Sequence, residues 1–167
     1  MNKYIAAIVL TIILTVNVKA QQINSQEPFH ITKSYVYNVA LISSLIFLSG
    51  MADGTAEALK YRYPEFKKVF PNANDQFWNP NLSWTNKYRN GDYLQGEKFL
   101  GSTTVFVWTT DGYHMVRAIR NCSMILAVTL NFGDLKPWYY YIIEGIIYYV
   151  SYTSGFTTTY GILFRKQ

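Results

Sequence analysis

Four carboxylates and one imidazole lie inside or directly after three long apolar stretches of this 167-residue chain: Asp53, Glu57, Asp111, His114 and Glu144. The stretches cover residues 34–52, 103–130 and 138–164, and each is long enough to cross a bilayer. A charge at that depth costs about 2.5–3.5 kcal/mol on insertion scales, so such groups usually face the bundle interior and serve a site. Their placement predicts a working centre between helices.

The chemistry that this set would suit best is metal binding. Asp53 and Glu57 are four residues apart and therefore share a helix face, as do Asp111 and His114 three residues apart. Carboxylates and imidazole suit Zn²⁺, Mn²⁺ or Fe²⁺. We predict Asp53, Asp111 and His114 as ligands and Glu57 as a ligand or general base. The metal would activate water to hydrolyse a lipid-linked or amphiphilic substrate.

The same residues also fit two other interpretations. In the first, Asp111, His114 and Arg117 form an internal network that fixes helix packing, and Asp53 binds Arg120 or a serine. In the second, the acids line an ion or proton path, which three spans could form only as a thin pore or a homo-oligomer. No His-Glu-x-x-His pattern is present to decide for the metal.

A separate ion pair is expected nearer the other side of the bilayer. With straight helices that rise 1.5 Å per residue, Glu144 comes to the depth that Arg117 reaches from the opposite direction. We therefore predict a structural ion pair between Arg117 and Glu144.

The elements that must position these groups are helices. Half of the chain is hydrophobic and only 15% is charged, against about 25% in typical soluble domains. We predict an all-α, polytopic membrane bundle in which residues 21–167 form a single domain. Its three spans lie near 35–59, 103–130 and 138–164. Gly50, Gly54 and Ala58 form a small-residue stripe suited to close helix packing.

The segment 60–102 differs from the spans. It has three prolines and scattered Asn and Gly, which exclude one long helix, and seven basic against four acidic residues give it a charge of +3. Its Trp and Tyr residues favour short helices at headgroup level. We predict a structured polar loop that binds lipid headgroups or a protein partner. A noncatalytic envelope protein is therefore the alternative to the hydrolase, and nucleic acid is the less favoured partner.

Orientation follows from the charges. The basic loop and the basic C-terminus favour the cytoplasmic side, whereas the turn 131–137 is nearly neutral. Residues 1–20 have a basic start, a short apolar core and small residues before Gln21, so they are either a cleaved signal peptide or a retained N-terminal membrane segment. Both give the same orientation in the inner membrane of a bacterium.

Several motifs within about residues 50–120 carry a resemblance to known proteins. They are Ala52-Asp53-Gly54, Phe70-Pro71-Asn72-Ala73-Asn74, Phe77-Trp78-Asn79-Pro80, Ser83-Trp84-Thr85-Asn86-Lys87-Tyr88, Gly101-Ser102-Thr103-Thr104 and Thr110-Asp111-Gly112-Tyr113-His114. With these motifs the chain resembles a group of small uncharacterised polytopic membrane proteins of bacteria and bacteriophages. The resemblance implies a membrane protein with a folded loop, and it implies no particular reaction.

Overall fold

The computed structural model describes residues 31–132 and 136–166. Within these ranges the regular structure is helical, apart from an isolated bridge between Tyr88 and Glu97. The all-α prediction is therefore confirmed for the part of the chain described. The predicted leader, residues 1–20, lies outside it.

The described α-helices divide into three long ones and three short ones. The long helices are α1 (Lys33–Tyr61), α5 (Gly112–Asn131) and α6 (Trp138–Phe156). The short ones are α2 (Tyr63–Val69), α3 (Asp75–Trp78) and α4 (Pro80–Ser83). A π-helical segment, Thr157–Leu163, continues α6. Between α4 and α5 lie short 3₁₀ turns at Trp84–Lys87, Arg89–Gly91, Tyr93–Gln95 and Val107–Thr109.

Helix α1 is the central element, and it packs along both α5 and α6. Ile46 packs near Ala127 whereas Leu59 packs near Val116, so α5 runs antiparallel to α1. The start of α1 lies beside the start of α6, because the Tyr35 hydroxyl donates to Glu144. Helices α1 and α6 are therefore parallel, and the loop lies at the end of the bundle where α1 finishes.

Glycines allow α1 and α6 to approach with their backbones in contact. A Cβ atom added at Gly50 would lie 2.1 Å from the Tyr152 carbonyl oxygen, and one at Gly155 would lie 2.1 Å from that of Phe47. At Gly54 it would lie 2.2 Å from the Thr159 hydroxyl oxygen. The predicted packing role of Gly50 and Gly54 is thus confirmed, and Gly155 supplies the matching gap on the partner helix.

One described helix, α1, is long and apolar enough to cross a membrane, and only 28% of its most apolar window is buried. The remaining predicted boundaries need correction. The second helix begins at Gly112 and not at 103, since residues 103–111 form turns and a 3₁₀ turn. The third α-helix ends at Phe156, and the π-helical segment covers most of its predicted remainder.

The loop between α1 and α5 is folded, and buried and charged contacts hold it. Phe66, 3% exposed, packs against Trp78 and Phe164 at the end of the bundle. The Asp75 carboxylate accepts hydrogen bonds from Lys67 at 2.7 Å and Tyr63 at 2.5 Å, and these bonds lower its pKa. Desolvation and the same carboxylate raise the pKa of Tyr63.

The far part of the loop is closed by another carboxylate. Glu97 accepts hydrogen bonds from the Thr103 hydroxyl and from the Gly101 backbone amide, and these bonds lower its pKa. The Ser102 hydroxyl donates to the Lys87 carbonyl at 2.7 Å. The turn 97–103 is therefore tied back to the 3₁₀ turn Trp84–Lys87.

The close contact of α1 and α6 predicts that Gly155→Ala destabilises the bundle by about 1–3 kcal/mol, because the new methyl group would meet backbone atoms of α1. Thermal unfolding in mild detergent, followed by circular dichroism, measures the loss. Gly145→Ala on the same helix is the matched control, since a Cβ there has open space around it. Equal stability of the two variants would show that the helices are further apart.

Candidate functional site

Asp53 joins the three long helices at one level. Its carboxylate accepts a hydrogen bond from the Arg120 guanidinium of α5 at 2.6 Å and another from the Tyr152 hydroxyl of α6 at 2.6 Å. Arg120 also donates to the Asn121 side-chain oxygen at 3.1 and 3.2 Å. Each Asp53 oxygen thus has a partner, as expected of the structural network in which Asp53 binds Arg120.

Asp111 is the N-cap of α5 and holds His114. Its side chain accepts from the His114 backbone amide at 2.8 Å, and the imidazole Nδ1 lies 2.7 Å from its other oxygen. The Thr110 hydroxyl, which donates to the Val107 carbonyl at 2.7 Å, lies 3.2 Å from the Asp111 carboxylate. With Asp111 only 2% exposed, this is a buried cap whose charge is satisfied locally. Arg117 bonds instead to the Tyr113 hydroxyl at 2.9 Å.

Of the predicted metal ligands, the structure brings together Asp111 and His114. Among the described residues there is no group of three or more His, Cys, Asp or Glu side chains placed to hold an ion. The partners of Asp53 and Asp111 are given above, and Glu57 lies half-buried one turn beyond Asp53. Asp53 is paired with the Arg120 cation, so it would have to leave that ion pair to bind a divalent metal.

The predicted Arg117–Glu144 pair is replaced by a different buried ion pair. The Lys136 ammonium lies 2.5 and 2.7 Å from the two Glu144 oxygens, and the residues are 2% and 1% exposed. Asn131 accepts from the same ammonium at 3.1 Å, and the Tyr35 hydroxyl donates to Glu144 at 2.7 Å. Arg117 lies on the exposed face of α5 and is not needed to neutralise Glu144.

Two sequence signals could have revealed these contacts. Lys136 is the nearest basic residue to Glu144 along the chain, but it lies in a segment interpreted as a nearly neutral turn. Asp111 directly precedes Gly112 and the charged helix, which is a typical N-cap position. The uncharged run 103–110, with four apolar residues at its centre, concealed it, because hydropathy alone does not separate an uncharged turn from a helix.

An apolar pocket of about 660 Å³ lies where the loop meets the bundle. Helices α1, α2 and α5 and the π-helical segment contribute to its walls. Its large side chains are mostly aromatic and aliphatic: Phe66, Phe70, Trp78, Val116, Leu163 and Phe164. Its size lies within the range of about 300–1,000 Å³ common for small-molecule sites.

The other end of the bundle carries an apolar belt, defined as the exposed apolar side chains of residues 36–48, 119–130 and 138–150. Because α1 and α6 are parallel and α5 is antiparallel, these three segments lie at the same end. The most exposed aliphatic members of the belt are Val36, Ile125, Leu126, Ile142, Ile146 and Val150, each at least 53% exposed. So extended an apolar surface indicates contact with a membrane or with protein.

In comparisons with known proteins, no family model, no curated protein and no solved structure matches this chain.

The buried ion pair generates a stability prediction. Lys136→Met leaves Glu144 without its cation in a dry site, so we expect a loss of about 3–5 kcal/mol. The double variant Lys136→Met/Glu144→Leu removes both charges and should recover much of that loss.

Thermal unfolding in mild detergent measures both variants. Lys68→Met is the control, since it breaks a pair with Glu65 whose lysine is 58% exposed, which costs about 0–1 kcal/mol. If the double variant is no more stable than Lys136→Met, the loss does not come from an unpaired charge on Glu144.

Proposed function

We propose that this chain is an integral membrane protein whose helices α1, α5 and α6 all span the bilayer, and that it works as a noncatalytic membrane-anchored binding protein. The observation that carries the proposal is the apolar belt. In water, the exposed aliphatic side chains of the belt would carry a hydration free-energy cost of about 25 cal/mol per Å² of apolar area. Lipid acyl chains would cover the same surface without that cost.

The internal charges support a bilayer environment. Two ion pairs neutralise charges inside the bundle: Arg120 of α5 pairs with Asp53 of α1, and Lys136, just before α6, pairs with Glu144 of that helix. Charges inside spans are tolerated when they face the bundle and pair with each other. Helix α6 is rich in tyrosine, a residue enriched at both membrane interfaces.

The folded loop is the part that we propose meets membrane lipids or a protein partner on the cytoplasmic side. Its surface combines basic residues with exposed apolar side chains, among them Tyr93, Leu94, Leu100 and Val105. Apolar groups beside cations suit the boundary between headgroups and acyl chains of an anionic leaflet. The inner membrane of a bacterium, with the loop and C-terminus inside the cell, is the location that fits this charge distribution.

The single cysteine tests the proposed spans. Cys122 is exposed on the protein surface near the middle of α5. In vesicles with the cytoplasmic face outward, lipid should shield Cys122 from a membrane-impermeant maleimide until the vesicles are dissolved in denaturing detergent.

The matched control is Cys122→Ser/Lys98→Cys, which moves the thiol to an exposed loop position and should react at once. Labelling of Cys122 at the rate of the control would place α5 in water and overturn the three-span proposal.

The Asp111→Ala variant distinguishes between two hypotheses for this chain, a noncatalytic binding protein and a metal-dependent hydrolase. The structure gives Asp111 the role of a buried cap, so its loss should lower stability by about 0.5–2 kcal/mol or more. We expect the metal content of the purified protein to stay far below one ion per chain in both forms.

Asp92→Ala is the control, because Asp92 caps a short exposed turn through the Leu94 amide. Near-stoichiometric metal in the unmodified protein that disappears in Asp111→Ala, but not in Asp92→Ala, would support the hydrolase instead.

A further inference from the structure

The pocket between the loop and the bundle has the build of a binding site for an apolar chain. Its floor is formed by Phe66, Val116 and Phe164, all at most 7% exposed, while Phe70 and Leu163 at its edge are 46% and 45% exposed. A deep apolar floor with an accessible apolar edge lets a flexible chain enter from the side.

One wall of the pocket is the π-helical segment. Thr159 and Leu163 of that segment line the pocket, and the Thr159 hydroxyl donates to the Met51 carbonyl of α1 at 3.0 Å. The Arg62 guanidinium donates to the Tyr160 carbonyl at 2.8 Å and covers the Tyr160 ring. Departures from α-helical geometry of this kind occur frequently at functional sites.

The chain segments that form the edge of the pocket are basic. Residues 62–75 and 163–166 together hold five cations, Arg62, Lys67, Lys68, Arg165 and Lys166, against two carboxylates, Glu65 and Asp75. Lys67 and Lys68 pair with Asp75 and Glu65, so the net charge of +3 rests on the other three cations. Two of these, Arg165 and Lys166, are exposed and directly follow Phe164. The edge therefore complements an anionic group attached to an apolar chain.

We propose that the pocket holds one acyl chain of an anionic membrane lipid, with the lipid headgroup at the basic edge. The inference rests on the proposed function, because a bilayer lipid reaches the pocket only if the bundle is inserted. The bound lipid would link the loop to the end of the bundle, since its chain would contact Phe66 of α2 and Val116 of α5 together.

Tryptophan quenching tests the inference. Trp78 lines the pocket, whereas Trp138 is 72% exposed at the belt end of the bundle. Two single-tryptophan proteins are compared: Trp84→Phe/Trp108→Phe/Trp138→Phe keeps Trp78, and Trp78→Phe/Trp84→Phe/Trp108→Phe keeps Trp138. Each is reconstituted in phosphatidylcholine vesicles with a minor fraction of phosphatidylglycerol, and bromine is placed on the chains of one lipid or the other.

We expect brominated phosphatidylglycerol to remove most of the Trp78 emission and brominated phosphatidylcholine to remove little. Trp138 should be quenched by both lipids, because bulk lipid surrounds it. Adding Ala73→Phe, which fills the pocket, should restore the Trp78 emission, and Ala40→Phe on the exposed face of α1 should not.

The failures can be told apart. If Trp138 is not quenched by either lipid, the bundle is not inserted and the proposed function fails with the inference. If Trp138 is quenched but Trp78 is not, or if both lipids quench Trp78 equally, the protein is in the membrane and the lipid-binding pocket alone is overturned. Circular dichroism of each variant confirms that it retains its helical content.

Discussion

The contact that the rest of the structure depends on is the backbone approach of α1 and α6 through Gly50, Gly54 and Gly155. A helix pair that meets through carbonyl oxygens has few possible registers, because any shift along the axis would bring a side chain against a backbone. The register that the glycines allow places Asp53 beside Tyr152 and Tyr35 beside Glu144. The polar contacts of the bundle are therefore consequences of a steric fit.

The charges inside the bundle follow a second constraint, that a buried charge must have a partner of opposite sign. The protein meets it at two levels of the bundle. Lys136 neutralises Glu144 where α6 begins, and Arg120 neutralises Asp53 nearer the loop. The Asp53–Arg120 pair joins α1 to α5 and so also helps to select which helices are neighbours. The Lys136–Glu144 pair joins α6 to the turn before it. The carboxylates of Asp53 and Glu144 are thus paired with cations of this chain in the packed bundle.

The sequence predicted the helices more accurately than their contacts. The uncharged run 34–52 is a local feature, so α1 at Lys33–Tyr61 agrees with the predicted span 35–59 to within two residues at each end. The Asp53–Arg120 contact was also among the predicted alternatives. The partner of Glu144 was not, because depth matching assumed that α5 starts at 103 and ignored a long lysine side chain in the turn.

Helix α5 begins at Gly112 and not at residue 103, and this late start explains both the position of Asp111 and the presence of the pocket. Asp111 ends the irregular segment by capping the helix, and the next residue has no side chain, so the Trp78 ring lies directly on the first turn of α5. A Cβ at Gly112 would come within 2.3 Å of that ring. The pair Asp111-Gly112 thereby moves the acid out of the bundle interior and brings the loop onto Val116. Metal binding by Asp111 stays a prediction. What the carboxylate does here is accept from the His114 backbone amide, and the helix turn that it caps supports the Trp78 wall of the apolar pocket.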